Sequence, residues 1–207
     1  MSRLEAFRSR ARKPGEASFF WVEARTRRAV VKVMPGEYFV GDDDVLVVTT
    51  LGSCIATCLW DPRARVGGMN HFMLPEASGP AEHDRAGRYG SFAMELLINE
   101  MLDRGAARAA LEAKVFGGGR IVAGMHSLDV GERNTRFVLD YLQTERIPVV
   151  SSDVRGNRPR KGVLLPAGGQ AMVKRLAPAR AATLAAGESL AARRPMPAGA
   201  GSIDLFV

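Results

Sequence analysis

Apolar residues fall first into short β-branched runs, and stretches at helical spacing follow only after residue 88. Ala29 to Val33 and Tyr38 to Val40 flank Pro35-Gly36, which predicts two strands joined by a turn. Gly41 to Asp44 reads as a loop. Val45 to Thr50 reads as a buried strand, broken by Leu51-Gly52-Ser53. Cys54 to Trp60 resumes an extended apolar run, and Asp61-Pro62 closes it with a turn. Val66 to Leu74, which includes His71, predicts another strand that Pro75 ends.

Glu76 to Gly87 is rich in Ala, Ser, Gly, Pro and charged residues, and it reads as a loop able to act as a lid or recognition element. Phe92, Leu96, Leu97 and Met101 give Tyr89 to Arg104 a helical period, with Gly105 as its stop. A strand over Leu111 to Phe116 ends at Gly117-Gly118-Gly119. Asn134 to Arg146 reads as a helix and Ile147 to Val150 as a strand. Gly162 to Pro166 and Ala171 to Leu176 form a last hairpin. Ala179 to Arg193 is a possible helix, and Pro195 to Ser202 has the composition of a disordered segment. Strands lead and then alternate with helices. The expectation is a single α/β domain, a layered α-β-α sandwich with a mixed sheet, over residues 29–176. Residues 1–28 and 177–207 are expected to be flexible basic arms.

Charge narrows the function classes. The net charge is +7, but residues 1–28 carry +5 and residues 174–207 carry +3, leaving 29–173 at −1. A nucleic-acid-binding fold carries its basic face on the folded domain, so that role is disfavoured. No aromatic residue interleaves the basic cluster at 8–13 to stack on bases. No apolar run is long enough to span a membrane, and residues 1–8 lack the features of a secretion signal, so a cytoplasmic protein is expected. The absence of a coiled-coil pattern makes a monomer the default. Cys54 and Cys58 are the only cysteines, and no His cluster accompanies them, so neither a structural metal nor a cofactor is expected.

One stretch gathers groups that could do chemistry. Cys54 follows Gly52-Ser53 at a strand break, where a turn exposes backbone N–H groups able to hold an oxyanion. A cysteine needs only a neighbouring base to become a strong nucleophile. His71 lies beyond the Asp61-Pro62 turn, and two strands lying side by side would bring it to Cys54. The plainer alternatives are a buried structural cysteine and a satisfied histidine. Cys58, inside an apolar run, reads as core; His83 and His126 read as solvent-facing. Ser53 lacks the Gly-x-Ser-x-Gly setting of a hydrolase serine.

At these residues the sequence resembles the CheD family of chemoreceptor glutamine deamidases. The resemblance is carried by Leu51-Gly52-Ser53-Cys54 with Asp61-Pro62, then by Gly67-Gly68-Met69-Asn70-His71-Phe72-Met73-Leu74-Pro75. It continues through Lys114 to Gly119, Gly131-Glu132-Arg133-Asn134, and Asp153 to Lys161. Asp153-Val154-Arg155-Gly156 departs from the adjacent glycines usual there, and both arms exceed the family core.

The resemblance implies Cys54 as nucleophile, His71 as base and a threonine just before the cysteine as third group. Thr49 and Thr50 compete for that place, and Thr49 sits where similar sequences have it. Gly52, Ser53 and Asn70 would shape the site or its oxyanion donors. The implied activity converts glutamines on the cytoplasmic helices of chemotaxis receptors to glutamates through a thioester, in chemotactic adaptation. A CheC-type phosphatase is a further partner the resemblance admits. Competing readings are a non-catalytic adaptor, and a transamidase or methylesterase using the same acyl-enzyme.

Overall fold

The computed structural model describes residues 5, 9–42, 44–74, 80–121, 130–177 and 184, without the side chains of 80–85 and 88. Among the described residues, ten strands form two five-stranded sheets. The first runs β1 (Phe19–Val22), β2 (Ala29–Lys32), β4 (Val45–Leu51), β9 (Arg160–Leu165) and β10 (Gln170–Arg175). The second runs β3 (Tyr38–Gly41), β6 (Val66–Asn70), β5 (Ile55–Asp61), β7 (Glu112–Gly117) and β8 (Val149–Val154). Each sheet is mixed: β2 pairs β4 in parallel and β7 pairs β8 in parallel, and the other pairings are antiparallel. Among the described residues, two α-helices, α1 (Pro80–Asp103) and α2 (Val130–Thr144), accompany the sheets.

The period of two along the central strands sorts side chains between two cores. On β5, Ile55 and Leu59 face Met94, Leu97, Ile98 and Met101 of α1 and Val138 and Leu142 of α2. Ala56 and Cys58 face the other way, onto Val31, Val47, Leu51 and Leu164 of the first sheet. The α/β class is as the sequence predicts. Among the described residues the layers run helices, sheet, sheet. Pro35-Gly36 therefore does not close a simple hairpin: it carries the chain from β2 in one sheet to β3 in the other.

Residues 9–28, read as part of a basic arm, pack on the domain. Aromatic β1 pairs with β2, and Ala17 and Phe20 are buried between the sheets. Lys13 Nζ lies 2.7 Å from both Glu100 and Asp103 at the end of α1, and Arg10 pairs with Glu16. Part of the basic charge is thus spent on intramolecular pairs. The proposed tail lies outside the described residues beyond Ala177, apart from Leu184, as do the helix and disordered segment expected there.

The loop expected over Glu76 to Gly87 is helical from Pro80 onward. Proline suits the first helical position, because its fixed φ fits the helix and its missing N–H is not needed there. Residues 75–79 lie outside the description. Helix α2 starts four residues before the expected Asn134, because Gly131 in its first turn masks the start. A Cβ on Gly131 would lie 2.5 Å from the Gly118 carbonyl oxygen, so the helix end and the glycine loop meet backbone to backbone. Strand β8 runs past Val150 through Ser151-Ser152-Asp153, since a solvent-exposed edge strand tolerates polar side chains.

Asp61 ends β5 and ties distant chain together. Its Oδ1 accepts the N–H groups of Arg63 (2.7 Å) and Ala64 (3.0 Å), and its Oδ2 accepts that of Ala107 (2.8 Å). Burial opposes its ionisation, but the three N–H donors outweigh burial and hold its pKa below the usual carboxylate value. A carboxyl whose folded pKa is depressed stabilises the fold above the unfolded pKa and loses that contribution as pH falls through the folded one. Asp61→Asn is expected to cost about 1–3 kcal/mol at neutral pH. The Tm difference from wild type should shrink as pH drops below about 4. Thermal melts of both proteins at neutral and acid pH check this, and an equal Tm gap at both would refute it.

Candidate active site

The site forms where the two sheets meet, at the ends of β4 and β6 and the start of β5. Ile55 pairs with Phe72, exchanging hydrogen bonds of 2.9 Å in both directions. In that antiparallel register His71 stands opposite Ala56 and diagonal to Cys54. Both side chains lie on the strand face turned toward the first sheet, where Cys54 and Ala56 pack. The strands flanking the Asp61-Pro62 turn thus do bring Cys54 and His71 to one face.

The His71 backbone is pinned on both sides. Its carbonyl accepts the Gly36 N–H (2.7 Å) and its N–H donates to the Glu37 carbonyl (3.0 Å). Its ring reaches the first sheet, where Nδ1 lies 2.8 Å from Thr49 Oγ1 and 3.4 Å from the Val33 carbonyl oxygen. Thr49 Oγ1 also donates to that carbonyl at 2.8 Å. A hydroxyl has one proton, and the carbonyl can only accept, so Thr49 gives its proton to Val33. Toward His71 it must then accept, which places a proton on Nδ1 and leaves Nε2 as the basic nitrogen.

Thr49, and not Thr50, meets the histidine. Thr50 points to the opposite face of β4, across from Lys161. Asn70, expected to shape the site or its oxyanion donors, turns its amide toward Thr57 and α1. It neighbours His71 on β6 and so faces the other way. Its Oδ1 accepts the Thr57 N–H (3.0 Å), and its Nδ2 donates to the Ala93 carbonyl (3.0 Å) on α1. Its part is to dock α1 behind the site.

The Gly52-Ser53-Cys54 turn is held at three successive carbonyls. Gly119 N–H donates to the Gly52 oxygen (2.8 Å), Asn134 Nδ2 to the Ser53 oxygen (2.9 Å) and Gly118 N–H to the Cys54 oxygen (2.8 Å). Gly117, at φ +112°, allows this approach: a Cβ there would sit 2.1 Å from the Cys54 carbonyl oxygen. Arg160 braces the same loop from the first sheet, donating to the Gly117 carbonyl (3.2 Å) while pairing with Asp153 (2.9 Å).

Sequence reading missed Asn134, which it took only as a helix start. The available signal was an amide aligned with Val138 and Leu142 on the buried stripe of α2. Tyr89 lies near Cys54, and burial pushes its hydroxyl above the usual range. His83 has no described side chain, and His126 lies outside the described residues.

The arrangement is closed. Exposure is 0% for Cys54, 1% for Thr49 and 2% for His71. The sulfur-bearing residue belongs to the apolar cluster between the sheets, together with Leu51, Ala56, Cys58 and Leu164. Cys58 is buried too, and burial pushes its thiol up to about 12, so it is unreactive at neutral pH. Among the described residues, no three His, Cys, Asp or Glu side chains gather to hold a metal ion. No helix among them is long and apolar enough to cross a membrane.

A family model described as CheD chemotactic sensory transduction matches residues 73–175. A protein of Albidiferax ferrireducens named "Probable chemoreceptor glutamine deamidase CheD 1" is 52% identical over 208 aligned positions, covering 100% of this chain and 88% of the relative. The chain belongs to the CheD family. A Bordetella petrii protein named "Probable chemoreceptor glutamine deamidase CheD" is 55% identical, covering 72% of this chain and 67% of the relative. The family-model match starts at residue 73, beyond Thr49, Cys54 and His71, whereas the Albidiferax CheD relative aligns across all three. Among solved structures, Bacillus licheniformis hypothetical protein YfiH aligns with a TM-score of 0.36 and 11% identity, over 58% of this chain and 49% of that one.

Proposed function

We propose that this protein is a cysteine-dependent amidohydrolase that converts glutamine side chains on the cytoplasmic helices of chemotaxis receptors to glutamates. The observation that carries the reading is the proton count at Thr49. It supports a His71 with a basic Nε2 on the strand face that also bears Cys54. The names of the relatives supply the substrate class.

In the proposed reaction His71 Nε2 takes the Cys54 proton, and the thiolate attacks the amide carbonyl carbon. A C–S bond forms, and the carbonyl π electrons move to oxygen. N–H groups of the Ser53-Cys54 turn stabilise that oxyanion, at about 3–4 kcal/mol per donor in comparable sites. Collapse of the intermediate expels ammonia, protonated by His71, and leaves a thioester. His71 then deprotonates water, which attacks the thioester; the C–S bond breaks and glutamate leaves. Gly52 permits the turn, and Thr49 holds the ring. Each event replaces a neutral amide by a carboxylate on a receptor helix, changing helix–helix repulsion and creating a site for methylation.

The test is mass spectrometry of a receptor cytoplasmic fragment incubated with the enzyme. The expected result is the mass increment of an amide-to-acid exchange at discrete glutamines, with ammonia released in equal amount. No increment with folded enzyme and receptor would overturn the proposal. Added primary amine distinguishes a transamidase, and methylated receptor distinguishes a methylesterase.

A further inference from the structure

We propose that Asn134 is a positioning residue that aims the backbone N–H of Cys54 at the oxyanion, coupling the nucleophile turn to the strand that carries His71. This inference rests on the deamidase reading above. Asn134 is fully buried in the first turns of α2, and both ends of its amide are committed. Nδ2 donates to the Ser53 carbonyl at 2.9 Å, and Oδ1 accepts the Leu74 N–H at 3.0 Å. The two partners fix the orientation of the amide, since a carbonyl can only accept and an N–H can only donate. Its neighbour Arg133 donates to the carbonyl of the same Leu74 at 3.1 Å.

The consequence follows from peptide geometry. The Ser53–Cys54 peptide is planar and trans, so its N–H points opposite to its C=O. With the Ser53 oxygen drawn toward α2, the Cys54 N–H is directed away from the helix. The Gly52 and Cys54 carbonyls are held by backbone N–H groups of Gly119 and Gly118. The lock on the middle carbonyl, whose peptide supplies the nucleophile's own N–H, is made by a side chain. The same side chain holds Leu74, three residues beyond His71, so one amide sets the spacing between turn and base. A group that presets a donor before charge develops lowers the barrier without strengthening substrate binding.

Asn134→Asp tests this directly, because it keeps an acceptor for Leu74 and removes the donor to Ser53. The full-length enzyme is assayed on receptor fragment for kcat and KM, and Cys54 is alkylated with iodoacetamide, a reaction that forms no oxyanion. The expected result is a kcat about 10–100-fold lower, a KM within about 2-fold and an alkylation rate within about 3-fold of wild type. If the aspartate variant is not recovered folded, Asn134→Ser, which buries no charge, carries the same measurements. Retained kcat would overturn the proposal. So would a parallel fall of kcat and alkylation, which would make Asn134 a support for the fold or the thiol. Cys54→Ala assayed alongside separates the two levels. If it still deamidates, the underlying reading fails; if it is inactive while the Asn134 variants are unimpaired, only this inference fails.

Discussion

Replacing Cys54 with alanine is expected to lower deamidation of receptor glutamines by about 10⁴-fold or more, while the protein stays folded. The magnitude follows from the proposed chemistry. Without a sulfur no thioester forms, and a turn that only holds an oxyanion keeps a small residue of the catalysis. The fold should survive because the change is small: one sulfur leaves the layer between the sheets, at a cost of about 1 kcal/mol. Cys58→Ala is the matched control, since Cys58 occupies the same layer four residues further along the same strand face. Its loss should cost similar stability and leave most of the activity, its thiol being held neutral by burial. Ammonia release and thermal melts of the two variants decide the matter. Residual wild-type rate in Cys54→Ala, or equal inactivation by both substitutions, would remove Cys54 from the nucleophile's place.

The residues that encode the site differ in how visible they are along the chain. That Cys54 and His71 fall on adjoining strands was legible because a glycine break and an Asp-Pro turn bracket one strand, and the turn implies side-by-side pairing; their chemical roles are what the family resemblance implies. Strand alternation separates Asn70 from His71 and Thr50 from Thr49, but it applies only once register is known. Register depends on which sheet each strand joins, and nothing local in Pro35-Gly36 says that the chain changes sheets there. Aromatic β1 was hidden by the charged residues around it, whose partners, such as Glu100 and Asp103 for Lys13, lie about 90 positions away. Closure of the site was equally invisible. Cys54 is buried in a cluster to which both sheets contribute, a property of layer packing that local periodicity does not encode.

Thr49→Val is expected to lower kcat by about 10²–10³-fold with little change in KM. Valine matches threonine in shape, so packing between the sheets is preserved and the hydroxyl alone is lost. Two groups lose a partner: the Val33 carbonyl loses its donor, and Nδ1–H of His71 loses an acceptor at 2.8 Å. Stability should fall by about 1–3 kcal/mol for the buried carbonyl. The kinetic loss should be smaller than the roughly 10⁴-fold seen when a histidine is left in the wrong tautomer. The reason lies just past the neighbouring strand β2: the Val33 carbonyl, 3.4 Å from Nδ1, can take over as a weaker acceptor and keep part of the population with Nε2 basic. Thr49→Ser, which keeps the hydroxyl, should restore most of the rate. Thr50→Val should change it by less than about 3-fold, since that side chain points away from the histidine. If Thr50→Val is as damaging as Thr49→Val, or if serine fails where threonine works, the hydroxyl does not set the tautomer of His71.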